Sequence, residues 1–250
     1  MKPTVHRGHD LMATLRSRTP ARVALGHVGA GLPTAALLEF QLDQARARDA
    51  VHEALDVPRL TAGLAPAQVL TVHSHAPDRN TYLQRPDLGR ALAAECDATL
   101  AGGPFDVVFV LADGLSARAV QHHAAPTLQA LLRALPDWKV APLIIATQAR
   151  VALGDDIGVR LKAQLCVMLI GERPGLSAPD SLGIYLTWKP VPGRRDHERN
   201  CISNIRPPQG LSYDEAAARA AWLMRAARRA GCSGVGLKDD SEVPRALLPS

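Results

Sequence analysis

The sequence predicts an α/β protein, a Rossmann-like, doubly wound and mainly parallel sheet with a smaller helical N-terminal domain. Three observations carry that expectation. From Phe105 onward, short β-rich apolar runs alternate with helical stretches. Before it, apolar residues recur at helical spacing. Gly102-Gly103-Pro104 breaks the chain between the two regions, so domains over residues 1–103 and 104–250 are expected.

Taken in order, Leu37, Leu38, Phe40, Leu42, Ala45 and Val51 suit an amphipathic helix from Pro33 to about Leu55, with Arg46, Arg48 and Asp49 on its other side. A second helix is expected over Arg85 to Leu100, with Pro86 in its first turn. Phe105 to Ala112 has strand composition, and Asp113-Gly114-Leu115 turns the chain into a helix from Ser116 to Leu135. Val140 to Ala146 follows as a strand, Asp155 to Ala163 as a helix and Leu165 to Ile170 as a third strand. Leu182 to Trp188 adds another strand, and an Arg-rich loop runs through Pro192 to Arg195. The last helix runs from the cap Ser212 to Gly231, with Asp214 and Glu215 in its first turn and Arg225, Arg228 and Arg229 near its end, as the helix dipole favours.

A chain of 250 residues can bury a sizeable core without disulfide or metal. Cys96, Cys166, Cys201 and Cys232 are too widely spaced for a zinc site or a small secreted framework, which points to a reducing cytosol. No run approaches the roughly eighteen uninterrupted apolar residues of a membrane span, and the opening residues lack a signal-peptide core. A cytoplasmic protein with no membrane partner is expected. The net charge of +5 is carried almost wholly by Arg interleaved with Asp and Glu, and the three Phe, three Tyr and three Trp form no basic-aromatic repeat, which speaks against nucleic acid.

Gly26, Gly29 and Gly31 fail the dinucleotide pattern because position 34 is Thr, and no P-loop string occurs. His73 and His75, and the pair His122 and His123, have no Cys or carboxylate at zinc-like spacing and read as loop and helix-surface residues. Ser116 lies outside any G-x-S-x-G and reads as a helix cap. Cys166, inside a strand, reads as core. Cys201 lies among polar residues and suits packing or an amide contact, Arg199 being the candidate cation for any thiolate. Asp113 ends the first strand of the α/β region, where open sheets hold ligands; a ligand contact and a turn carboxylate both remain open. Glu172 and Arg173 hold the matching place after the third strand, where Pro174-Gly175 shapes the turn, and read as ligand or partner contacts. Val151 reads as plain core.

Several ordered blocks then matter together: Thr19 to Gly26, Thr34 to Val51, Asp78 to Arg90, Val110 to Ser116, Ala149 to Gly158, Gly171 to Leu182, Arg199 to Ile205 and Ser233 to Lys238. In this order they resemble the small (light) subunit family of ethanolamine ammonia-lyase. The resemblance implies an adenosylcobalamin-dependent deamination of ethanolamine to acetaldehyde and ammonia, begun by a 5′-deoxyadenosyl radical. It implies a TIM-barrel large subunit that binds ethanolamine and holds most catalytic residues, with a small subunit covering the cobalamin, in an assembly of six large and six small subunits. Cobalamin contacts are implied for Val151, Glu172 and Cys201, and no catalytic residue or metal ligand for this chain. The Asp-x-His-x-x-Gly string that supplies a cobalt ligand elsewhere is absent, which agrees with base-on binding. Relatives directed to bacterial microcompartments carry a longer leader than the eighteen residues ahead of Thr19, so free cytosol is expected first. The alternatives are an independent cytosolic α/β enzyme or small-molecule binder using Asp113, Glu172 and Arg173, and a scaffold subunit without cofactor contacts.

Overall fold

The computed structural model of the protein describes residues 7–19 and 21–241. The opening of the leader (1–6), Pro20 of the Thr19 to Gly26 block, and the end of the second expected domain (242–250) lie outside the described residues.

The chain runs through helices α1 (Arg7–Arg18), α2 (Thr34–His52) and α3 (Val57–Gly63), strand β1 (Val69–His73), helix α4 (Arg79–Gln84), and strand β2 (Phe105–Ala112). It continues through α5 (Ala117–Ala134), β3 (Leu143–Thr147), α6 (Leu153–Arg160), β4 (Ala163–Gly171), β5 (Leu182–Trp188), β6 (Asn200–Ile205) and α7 (Tyr213–Ala230). The six strands form one sheet in the order β1-β3-β2-β4-β5-β6. β1, β3, β2 and β4 pair in parallel, whereas β5 and β6 are antiparallel. The sheet is therefore mixed, parallel in three of its five pairings, with the antiparallel strands gathered at one side. The chain itself gives the reason: ten residues without a helix separate Gly171 from Leu182, fewer than the dozen or so that a parallel crossover needs.

β2 is the hub of the parallel part. Its side chains alternate between two cores. Val107, Phe109 and Leu111 share one core with Val120, Leu128 and Leu131 of α5 and Ala220 and Met224 of α7. Val108, Val110 and Ala112 meet Leu153, Ile157 and Leu161 of α6. Each such Val, Leu or Ile removed from water contributes roughly 1.5–3 kcal/mol. The connection β2-α5-β3 thus runs over one face and β3-α6-β4 over the other. Their loops diverge at the carboxyl ends of β2 and β3, which opens a crevice there.

Two expectations in the first half need correction. β1 lies in the segment read as helical, and its residues pair from Val69 with Leu143 to His73 with Thr147, giving the sheet its edge. The helix expected over Arg85 to Leu100 is not formed. α4 starts earlier, where the Asp78 carboxylate accepts from the Thr81 N–H, and stops at Arg85, whose φ of −122° and ψ of 77° are non-helical, as suits the residue before Pro86. Two short 3-10 segments, Leu88–Arg90 and Ala94–Thr99, cover most of the remainder.

α5 and α7 end where the sequence says, whereas α6 spans Leu153–Arg160 instead of Asp155 to Ala163, and Ala163 opens β4. Ser116 and Ser212 cap α5 and α7, Glu215 closes a capping box, and Gly231 ends α7 in the left-handed conformation at φ 68°. α2 forms as expected but does not bury its apolar side. Among its residues Ala50 alone is buried, while Leu37, Leu38 and Leu42 are 41%, 59% and 50% exposed. No helix among the described residues is long and apolar enough to cross a membrane.

Candidate functional site

Three turns at the carboxyl ends of β2, β3 and β4 converge on one cleft of about 430 Å³. Gly114 and Leu115 come from the first, Arg150 and Val151 from the second, and Gly171, Glu172 and Arg173 from the third; Tyr82 of α4 and Tyr185 of β5 complete the wall. The first and third turns touch backbone to backbone, with the Leu115 N–H donating to Gly171 O at 2.9 Å. A Cβ on Gly171 would lie 2.0 Å from Ser116 O, and one on Gly114, at φ +56°, 2.2 Å from Gly171 O. Glycine at both positions is what lets the turns meet.

Asp113 lies beneath the cleft and is 3% exposed. Its carboxylate accepts from Gln148 N at 2.8 Å and Ala149 N at 3.0 Å, and Arg79 stands 3.5 Å away. Burial pushes its pKa up, against those two N–H groups and Arg79. Asp113 is thus a brace across the crevice: the open question resolves to the structural reading, with the bonded backbone belonging chiefly to the next turn.

Glu172 lines the cleft, and its carboxylate is held from three sides. Ser181 Oγ donates to Oε2 at 2.5 Å, Asn204 N donates to Oε2 at 3.2 Å, and Ser203 Oγ donates to Oε1. The side chain ties the β4–β5 turn to β6. A carboxylate has about four acceptor sites, so one on Oε1 stays open. Arg173 is exposed beside it and forms no ion pair among the described residues.

Cys201 is exposed and stands opposite Tyr185 in the β5–β6 ladder. Loss of solvation raises its thiol pKa and the Glu172 charge adds to that, while a hydrogen bond with Tyr185 acts the other way. Burial likewise raises the Tyr185 hydroxyl, followed by the influence of Cys201. Both groups stay protonated and serve as hydrogen-bonding walls. Arg199 is not the cation for this thiol. It is buried against Asp155, at 2.8 and 2.6 Å, and donates to Thr187 Oγ1 at 2.7 Å. Val151 is half-buried and faces the cleft, where the sequence suggests only core.

Tyr82 is fully buried, donates to Ala149 O at 3.0 Å and has two guanidiniums against its ring, Arg150 at 4.5 Å and Arg79 at 4.9 Å from the ring centre. Burial pushes its hydroxyl up to about 12. Tyr82, Arg150 and Tyr185 were not legible as site residues. The available signals were faint: a tyrosine in the Asp78 to Arg90 block, an arginine beside Val151, and a polar-tipped aromatic in an otherwise apolar strand.

Elsewhere, Ser116 caps α5, accepting from Ala119 N at 3.3 Å and donating to Pro179 O at 2.9 Å. His123 departs from the surface reading, being 7% exposed with Nδ1 2.9 Å from the Tyr213 hydroxyl and Nε2 3.6 Å from Asp180. His73 bonds Ser74 O at 2.9 Å and faces Glu95 at 3.4 Å. Among the described residues no group of three or more His, Cys, Asp or Glu has a geometry that could hold a metal.

The family model described as ethanolamine ammonia-lyase light chain (EutC) matches residues 9–238. The ethanolamine ammonia-lyase small subunit of Bradyrhizobium diazoefficiens is 56% identical over 235 residues, covering 91% of this chain and 90% of that protein. The small subunits from Azotobacter vinelandii, 54% identical over 241 residues (92% and 89%), and Xanthomonas campestris pv. campestris, 51% over 245 residues (94% and 90%), are similarly related.

Proposed function

The chain belongs to the ethanolamine ammonia-lyase light-chain family, and from that premise we propose that it serves as the small subunit of an adenosylcobalamin-dependent ethanolamine ammonia-lyase, contacting the cofactor through Val151, Glu172 and Cys201 where it meets the large subunit. The observation that carries this reading is the gathering of three sequence-distant positions around one cleft: Val151 and Glu172 line it, and Cys201 pairs with Tyr185, which lines it too.

The residues suit a corrin. Leu115, Val151, Ile170 and the Tyr185 ring offer an apolar wall for the macrocycle, while Oε1 of Glu172, the Tyr185 hydroxyl and the Cys201 thiol offer hydrogen bonds to its amide side chains. A cleft of about 430 Å³ takes one edge of such a molecule, so the rest lies against another surface. When bound, adenosylcobalamin supplies the radical chemistry. The contribution of this chain is to orient the cofactor, to hold the Glu172 side chain immobile through Ser181, Ser203 and Asn204, and to exclude water with its apolar wall.

A partner is also favoured by α2. A helix of 19 residues with Leu37, Leu38 and Leu42 exposed lacks the tertiary packing that stabilises helices in water. In the proposed assembly that partner is a TIM-barrel large subunit, in the six-and-six arrangement of the family resemblance. An independent α/β enzyme or small-molecule binder using Asp113, Glu172 and Arg173 is disfavoured, because intramolecular donors hold both carboxylates. Ethanolamine-dependent acetaldehyde formation with adenosylcobalamin tests the proposal. Activity is expected only when this chain and a large subunit are mixed; activity of the large subunit that is indifferent to this chain would overturn it.

A further inference from the structure

We infer that Arg150 and Arg173 form an anion subsite at the rim of the cleft, built to hold a phosphodiester: on the cofactor proposed above, the phosphate of its nucleotide loop. The inference rests on that reading of the cleft and assigns it a polarity.

Both arginines line the main cleft and also an adjoining hollow of about 450 Å³ that α2 bounds through Arg48 and Val51. They stand, with Leu115, in the wall that the two hollows share. Neither forms an ion pair among the described residues. The nearby acids are already engaged: Asp113 takes Gln148 N, Ala149 N and Arg79, and Glu172 takes Ser181, Ser203 and Asn204. Two guanidiniums without counter-charge make this rim positive, which favours an anion there.

Arg150 is also fixed in place. Its guanidinium stacks on Tyr82, Nη2 reaches Tyr82 O at 3.4 Å, and its buried Nε has no hydrogen-bond partner. A Cβ on Gly89 would stand 2.9 Å from its Cγ, so the stem is packed as well. A guanidinium held this way loses little freedom on binding and presents a planar fork that matches a phosphate. The N-terminus of α5, reached through Gly114 and Leu115, adds positive potential on the same side. Among the groups of a cobalamin, the corrin amides and the base are neutral, and the phosphodiester carries the negative charge. Paired arginines therefore select that part of the molecule.

The test uses the assembled complex with its large subunit and follows binding by the visible spectrum of the corrinoid, independent of turnover. Three probes are titrated: cobalamin, cobinamide phosphate, and cobinamide, which lacks the phosphate. Arg150→Met and Arg173→Met are each expected to weaken cobalamin and cobinamide phosphate about tenfold or more, as loss of a charge-assisted bond does, and to leave cobinamide nearly unchanged. Equal losses for all three probes, or no loss for cobalamin, would overturn the subsite. Arg173 is exposed, so its variant keeps the test readable if Arg150→Met does not assemble. Val151→Trp separates the two levels. If it lowers cobalamin affinity while the arginine variants do not, the subsite alone fails; if it also has no effect, the reading of the cleft fails with it.

Discussion

Replacing Glu172 by Gln is a demanding perturbation because the surroundings of the carboxylate allow its effect to be worked out. Oε2 receives two donors, Ser181 Oγ and Asn204 N, and Oε1 receives Ser203 Oγ. The best placement of an amide keeps its oxygen on the two-donor side and turns its NH2 toward Ser203, whose hydroxyl can rotate to accept. No donor is lost, but three charge-assisted bonds become neutral. Bonds to a charged group are worth about 1.5–3 kcal/mol and neutral ones about 0.5–1.5, so the unscreened loss is about 3 kcal/mol. Ser203 and Asn204 are exposed, and solvent screening reduces this to about 1–2 kcal/mol. For a chain of this size the melting temperature falls by about 2–8 °C. Glu172→Ala leaves the buried Ser181 hydroxyl without its acceptor, while water reaches Ser203 and Asn204, and costs about 1–3 kcal/mol. Since Gln also fills the free position on Oε1 with a donor, cobalamin affinity of the complex drops more than its rate at saturating cofactor. Thermal melting of the chain and spectral titration of the complex read the two effects. An unchanged melting point refutes the clamp, and an unchanged affinity refutes the contact.

Asp155→Asn leaves the buried Arg199 guanidinium without its counter-charge and is expected to cost about 3–5 kcal/mol in denaturant unfolding, with part recovered in the Asp155→Asn, Arg199→Met double variant; a loss below about 1 kcal/mol would contradict the pairing. Gly171→Ala drives a Cβ into the Ser116 carbonyl and should cost about 2–3 kcal/mol or prevent folding, so a variant with wild-type melting would show that the turns do not meet as described. Burial lowers the His123 pKa below its unfolded value near 6.5, despite Asp180, with His122 and Arg206 acting in the same direction as burial. The native state then binds fewer protons than the unfolded chain below about pH 6.5, so stability is level above that pH and falls as the pH drops through it. Denaturant midpoints between pH 5 and 8 check this, and His123→Gln should flatten the profile; a wild-type profile already flat would contradict it.

Legibility followed locality. β2, β5, α5 and α7 announce themselves because their apolar period, caps and terminating glycine lie within the element. β6 hides because its period is broken: Ile202 and Ile205 are its buried residues, spaced by three where a strand alternates by two, and Asn204 sits at φ +62° beside a register shift in the ladder. β1 is five residues long and owes its place to Leu143–Thr147, a pairing across distant sequence. The same rule governs the site. Glu172 was visible as a charge at the end of an apolar strand. The meaning of Asp113 depended on N–H groups 35 and 36 residues away, and the link of Cys201 to the cleft depended on the antiparallel turn that brings Tyr185 opposite it. Val151 looks like core until the β3–α6 turn exposes one side of it.

The central claim, that this chain supplies part of a shared cobalamin site, is tested most directly by spectral titration of cobalamin into the large subunit alone, into its complex with this chain, and into the complex carrying Val151→Trp. Tight binding by the wild-type complex, weak binding by the large subunit alone and loss of affinity in the Val151→Trp complex are expected. The same affinity in all three would contradict the claim, because the cleft would then have no part in holding the cofactor.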